Sequence, residues 1–137
     1  MCTLAHALAV AALAVTTAAT AAGGSLRGDP NAGEAIYSRC LACHALTYDR
    51  TGPKHCGLFG RPAGSVKGFA YSAAMRRSKI VWGEKTLDRF IADPLRTVPG
   101  TAMGYAGVKD PKERADLIAY LKRSGASPEC GTPHFTR

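Results

Sequence analysis

The sequence predicts an all-α protein of short helices and long loops, and three observations carry that prediction. Two aspartate-proline pairs, Asp29-Pro30 and Asp110-Pro111, each stand ahead of apolar residues at helical spacing. In such a pair the carboxylate caps the first free amides and the proline suits the first helical position. No stretch alternates apolar and polar residues over the length of a strand. Between Leu46 and Gly68 the chain is crowded with Gly52, Pro53, Gly57, Gly60, Pro62 and Gly64, which favours ordered loop over regular structure.

Taken in order, the first helix starts at Asp29-Pro30, carries Ala32, Ala35 and Ile36 on one face, and runs toward Cys40. The long loop from Leu46 to Gly68 follows, and loops of this length usually have a function. Tyr71 to Arg77 predicts a short helix, and Glu84 to Ala92 another that Asp93-Pro94 ends. Pro99 to Val108 returns to loop. The last helix opens at Asp110-Pro111, buries a stripe of Leu117, Tyr120 and Leu121, and stops at Gly125. With 137 residues, 46% of them hydrophobic, the chain has enough material for one core and not for two. So few helices and no sheet cannot close a core unaided, and a bulky apolar cofactor at the centre is expected.

The first 22 residues carry no charged side chain and end near Ala19-Thr20-Ala21, the small-residue spacing that a signal peptidase accepts. Residues 1–22 therefore read as a secretory signal, with 23–137 as a single exported domain that ends in a short C-terminal extension. An uncleaved anchor is the alternative, disfavoured because alanine and threonine stand where leucine would be expected. Since the leader is uncharged, the exported chain keeps the whole formal charge of +8, which favours acidic partners and faster encounter. Nucleic acid is set aside: there is no long Lys/Arg run and no arginine-aromatic patch.

The chemistry concentrates in "CLACH", Cys40 to His44. Two thiols at C-x-x-C spacing on one helical turn can add across the two vinyl groups of a haem, and the histidine that follows can reach the iron from the same side. Chance would give the pattern in roughly half a percent of chains of this composition, so it counts as a specific signal. A thioredoxin-like dithiol needs a βαβ setting that the sequence lacks. A structural zinc site needs a second ligand pair, which Cys56 and Cys130 do not form.

With His44 as one axial ligand, the residue on the opposite side of the iron decides between electron transfer and small-molecule chemistry. Met75 sits beside Ala73 and Ala74 in a short helical stretch, where a thioether usually fills core. Met103 lies in the loop "PGTAMGY", where the backbone can aim the sulfur inward, and it is the favoured ligand. A neutral thioether favours ferrous iron, so a fairly positive potential is expected.

From about Gly28 to Gly125 the chain resembles the class I cytochromes c of the mitochondrial and photosynthetic-bacterial type. The segments that carry the likeness are "CLACH", "TGP", "GLFGRPAG", "GFAYSAAM", "VWGEKTL", "PGTAM" and "DLIAYLK". The resemblance implies an all-α cytochrome c fold wrapped around one haem c, attached covalently through Cys40 and Cys43 and ligated by His44 and Met103. It implies that the Pro53 carbonyl accepts a hydrogen bond from the ligand histidine. It further implies that Arg61, Tyr71 and Trp82 surround a haem propionate. Gly33 and Tyr37, with Leu117 and Tyr120, match the crossing of the first and last helices.

Some positions depart from the pattern. Phe90 replaces a tyrosine near the methionine sulfur, and His55 replaces a leucine. A core or partly exposed histidine is expected at 55, the alternative being a ligand or a pH-sensitive group. Ala102 and Leu95 replace docking lysines, which shifts that role to charges such as Arg39, Arg50 and Lys109. Cys56 and Cys130 are left over once haem has taken two thiols, and in an oxidising compartment they are expected to form a disulfide.

The expected function is that of a soluble, monomeric, periplasmic carrier of single electrons with no substrate chemistry of its own. By resemblance its donor is a cytochrome bc complex or a periplasmic dehydrogenase, and its acceptor an oxidase or a photosynthetic reaction centre, each met in transient docking at the membrane. The rival readings are a peroxidase-like haem enzyme and a gas-binding sensor subunit, both of which need Met103 to leave the iron.

Overall fold

A computed structural model describes residues 27–131. The expected signal segment at 1–22 and the last residues of the C-terminal extension lie outside the described residues. The helices are α1 (Pro30–Tyr37), α2 (Ala73–Arg77), α3 (Glu84–Ala92), α4 (Pro94–Thr97), α5 (Pro111–Gly125) and α6 (Pro128–Gly131), with a 3-10 turn at Ser38–Cys40. Among the described residues there is no strand, only an isolated antiparallel bridge between Pro62 and Val81. No helix among them is long and apolar enough to cross a membrane.

Capping explains where most of these helices begin. The Asp29 carboxylate accepts from the Asn31 amide at 2.8 Å, and Asp110 accepts from Lys112 and Glu113 at 2.6 and 3.1 Å, with proline at the first position both times. Ser72 caps α2 through the Met75 amide at 3.2 Å. Asp93-Pro94 does end α3, but the Asp93 side chain then accepts from the Arg96 amide at 3.1 Å and starts α4. The same signal that stops one helix therefore opens the next. α6 was not anticipated either, because its single turn follows the expected stop at Gly125.

α1 packs across α5, and α3 supports α5 from another side. The crossing of α1 and α5 is very close: a Cβ placed on Gly33 would fall 2.0 Å from the Asp116 carbonyl oxygen. Tyr37 and Tyr120 lock the crossing with rings 5.0 Å apart. The buried Asp116 carboxylate accepts from the Asp29 amide at 2.6 Å and pairs with Lys112, so both starting ends are tied together. Ile36, Leu87, Phe90, Ile91, Leu117 and Leu121 are part of the core around this crossing.

Cys56 and Cys130 are joined in a disulfide that ties α6 to the long loop across 74 residues of sequence. Among the described residues, Cys40 and Cys43 are the free cysteines. In the chain-entropy account, closing a loop of that length stabilises the fold by roughly 4 kcal/mol. The double variant Cys56→Ser/Cys130→Ser is therefore expected to show a clearly lower guanidinium midpoint than the parent. Equal midpoints for the variant and the parent would show that the bridge constrains nothing.

Candidate functional site

The site begins where α1 gives way to the 3-10 turn. The amides of Cys43 and His44 both donate to the Cys40 carbonyl, at 3.1 and 2.8 Å. One turn thus places both thiols and the imidazole on neighbouring positions. Cys43 is exposed and Cys40 partly buried. Burial pushes the Cys40 thiol up to about 11, against a smaller lowering by Arg39, so at neutral pH it is protonated. A thiol in that state is a poor redox nucleophile, and no strand stands among the described residues to build the βαβ setting of a thioredoxin-like dithiol.

His44 is only 8% exposed. Its Nδ1 lies 2.8 Å from the Pro53 carbonyl oxygen, so Nδ1 carries the proton and donates, and the Nε2 lone pair is left for a metal. Burial lowers the pKa of the ring and the Pro53 bond partly restores it, which keeps the ligand-competent neutral form. Gly52 is required beside it, since a Cβ there would lie 2.3 Å from Cε1. "TGP" therefore contributes through two residues, of which only Pro53 was anticipated.

The two methionines occupy different settings. Met75 is 7% exposed within the core, whereas Met103 sits in the loop after α4, partly exposed and packed against the core edge. The Thr101 hydroxyl accepts from the Met103 amide at 3.2 Å and holds that loop. Phe90 is buried, tilted against Trp82 with ring centroids 5.0 Å apart, and brings no hydroxyl to the methionine loop.

Arg61 tests whether these residues suit a haem. Its terminal nitrogens donate to the carbonyls of Cys56 and Lys54 at 3.0 and 2.9 Å, while its Nε is buried with no hydrogen-bond partner. Burial lowers the guanidinium pKa, offset in part by Tyr71 and Asp49, and Arg61 forms no salt bridge among the described residues. A half-buried cation whose buried Nε has an open donor calls for an anionic acceptor, and a propionate carboxylate supplies one. Tyr71, whose phenol burial shifts upward, couples electrostatically to this group, and Trp82 is 8% exposed two backbone hydrogen bonds away, at Arg61 and Gly60. The residues present fit the group.

His55 was expected as a core or partly exposed histidine, and the structure gives it a more specific setting. Its ring stacks on His44 with centroids 4.4 Å apart and planes 19° apart, and its Nδ1 lies 3.0 Å from the Tyr37 hydroxyl. Two imidazoles binding one ion from opposite sides, with bonds of about 2.1 Å, would hold their centroids about 6 Å apart. His55 in this position is therefore not a partner ligand to His44. Burial, with the charges of His44 and Arg61, pushes its pKa down to about 3, although part of its surface stays open.

The charges named for docking are already engaged. Arg39 forms a two-pronged pair with Glu113 at 2.7 and 2.8 Å, Arg50 donates to the Leu41 carbonyl at 2.5 Å, and Lys109 to that of Ala92 at 2.9 Å. Arg39 is thus neutralised locally and Lys109 also lies 3.9 Å from the Asp93 carboxylate, while Arg50 has no carboxylate partner among the described residues.

The family model described as Cytochrome c matches residues 30–124. Among curated relatives, a cytochrome c2 of Blastochloris viridis is 44% identical over 101 residues, covering 72% of this chain and 80% of its own length. A cytochrome c of Chlamydomonas reinhardtii is 45% identical over 103 residues, covering 72% and 92%. Among solved structures, cytochrome cH from Methylobacterium extorquens superposes with a TM-score of 0.68 at 41% identity, covering 70% of this chain and 99% of that one.

Proposed function

The chain belongs to the cytochrome c family, whose cofactor is covalently attached haem c, and from that premise we propose an exported, soluble one-electron carrier. Its haem is bound through Cys40 and Cys43 and ligated by His44 and Met103. The bound iron supplies a one-electron couple between its ferric and ferrous states. The chain's residues do the rest. The two thiols anchor the group on the turn after α1. His44 offers Nε2, and the Pro53 carbonyl, by taking the Nδ1 proton's hydrogen bond, fixes the tautomer and makes Nε2 more basic. Met103 would supply the second protein ligand, which would leave no site for substrate. Arg61, Tyr71 and Trp82 offset the propionate charge.

The observation that carries the reading is a buried, neutral His44 with Nε2 free, on the same turn as two free thiols. In service the carrier shuttles as a monomer in the periplasm, from a cytochrome bc complex or periplasmic dehydrogenase to an oxidase or reaction centre. Its charge of +8 suits acidic docking faces and predicts encounter rates that fall with salt.

Absorption spectra of the periplasmically expressed protein, oxidised and reduced, provide the test. A c-type spectrum with the weak long-wavelength sulfur-to-iron band is expected, and Met103→Ala is expected to abolish that band. A c-type spectrum without the band in the parent would remove Met103 as ligand and put the peroxidase-like or gas-binding reading in its place.

A further inference from the structure

A hydrogen bond to the Pro53 carbonyl fixes one atom of the His44 ring, Nδ1, and by itself leaves the plane of the ring free to tilt about that contact. The plane matters because the overlap of a ligand imidazole with metal orbitals depends on its rotation. A flat wall beside the ring would remove this freedom, and His55 supplies one, stacked within 19° of parallel at 4.4 Å.

The wall is itself held from several directions. The His55 amide donates to the Ala45 and Leu46 carbonyls at 3.1 Å each, and the next amide, that of Cys56, to Leu46 at 2.7 Å. Arg61 grips the carbonyls of Lys54 and Cys56, one on either side of His55. Cys56 is bonded to Cys130. With the backbone pinned, Tyr37 fixes the ring, through its hydroxyl at 3.0 Å from Nδ1 and its own ring, edge-on with centroids 5.6 Å apart. Tyr37 in turn packs on Tyr120 of α5, so the wall is anchored in the helix crossing. A merely space-filling side chain at 55 would need neither the hydrogen bond nor the parallel plane.

We propose that His55 is a positioning residue for electron transfer: its imidazole, oriented by Tyr37 and stacked on His44, sets the plane in which His44 meets the haem iron. The inference rests on the haem reading above. Three variants separate plane from bulk: His55→Phe keeps a flat ring, His55→Leu keeps apolar volume without a plane, and Tyr37→Phe keeps the tyrosine ring without its hydroxyl. The readout is the pattern of haem-methyl proton shifts and the g-anisotropy of the ferric protein, both of which report ligand-plane orientation. Far-UV and visible spectra serve as fold and haem controls.

In His55→Leu the methyl resonances are expected to change order, while His55→Phe keeps the parent order. Tyr37→Phe, which frees the His55 ring, is expected to shift the pattern in the same direction by less. A parental pattern in folded His55→Leu would overturn the proposal, and so would equal changes in the Leu and Phe variants. Should His55→Leu fail to fold, a parental pattern in Tyr37→Phe overturns it instead. A parent protein without c-type bands would sink the haem reading, and this inference with it, before any variant is compared.

Discussion

Gly33→Ala is expected to destabilise the folded protein by about 2 kcal/mol, although alanine is the better helix former. Two effects oppose each other. Alanine in place of glycine inside a helix gains about 1 kcal/mol of intrinsic propensity. Against that, the new Cβ would stand 2.0 Å from the Asp116 carbonyl oxygen, 2.5 Å from its carbon and 2.8 Å from the Tyr120 Cβ. The first two are backbone atoms of α5 and cannot rotate aside, so the helices must separate. Overpacking of this kind costs typically 1 to 3 kcal/mol, and an obstacle made of backbone puts the cost at about the upper end. The separation also loosens the Tyr37–Tyr120 contact and the bond from Asp29 to Asp116. Denaturant unfolding measures the outcome as a lower midpoint at unchanged slope. A midpoint equal to or above that of the parent would show that close helix approach is not what holds α1 to α5.

The features that were legible in the sequence are local ones. The Asp29-Pro30 and Asp110-Pro111 starts, the span of α3 and the C-x-x-C-H turn each depend on residues within a few positions of one another. α4 was hidden because Asp93-Pro94 was read as a terminator, when capping geometry lets the same pair begin a turn. The bridge of Pro62 to Val81 joins two loops and has no local signal. At the site, Pro53 was reached through resemblance, whereas Gly52 against His44 and the stack of His55 on His44 depend on how the long loop folds back over the turn. Arg61 shows the same limit from another side. Its expected role concerned an anion, but its terminal nitrogens also fasten the backbone on either side of His55, a contact no spacing rule shows.

The largest effect is expected from removing both anchoring thiols. In Cys40→Ala/Cys43→Ala the chain should lose covalent haem completely under denaturing extraction, and most of its far-UV helical signal with it. The helices explain why. α5 has 15 residues, α3 has 9 and α1 has 8, and the others are shorter still. Isolated helices shorter than about 12 to 15 residues are marginal in water, so these depend on a shared core for their stability. Part of that core is polar: His44 with a free Nε2, and Arg61 with a buried, unpaired Nε, are groups whose burial is unfavourable unless a ligand completes them. Removing the group that completes them therefore costs apolar contact and leaves desolvated polar atoms at once. The disulfide, at roughly 4 kcal/mol, cannot offset both losses. Either single variant keeps one covalent bond and should retain haem and most of the helical signal. A double variant that is free of haem yet keeps the parent's circular dichroism and cooperative unfolding would mean that α1, α3 and α5 form a sufficient core alone, and the cofactor-centred account of this fold would fail.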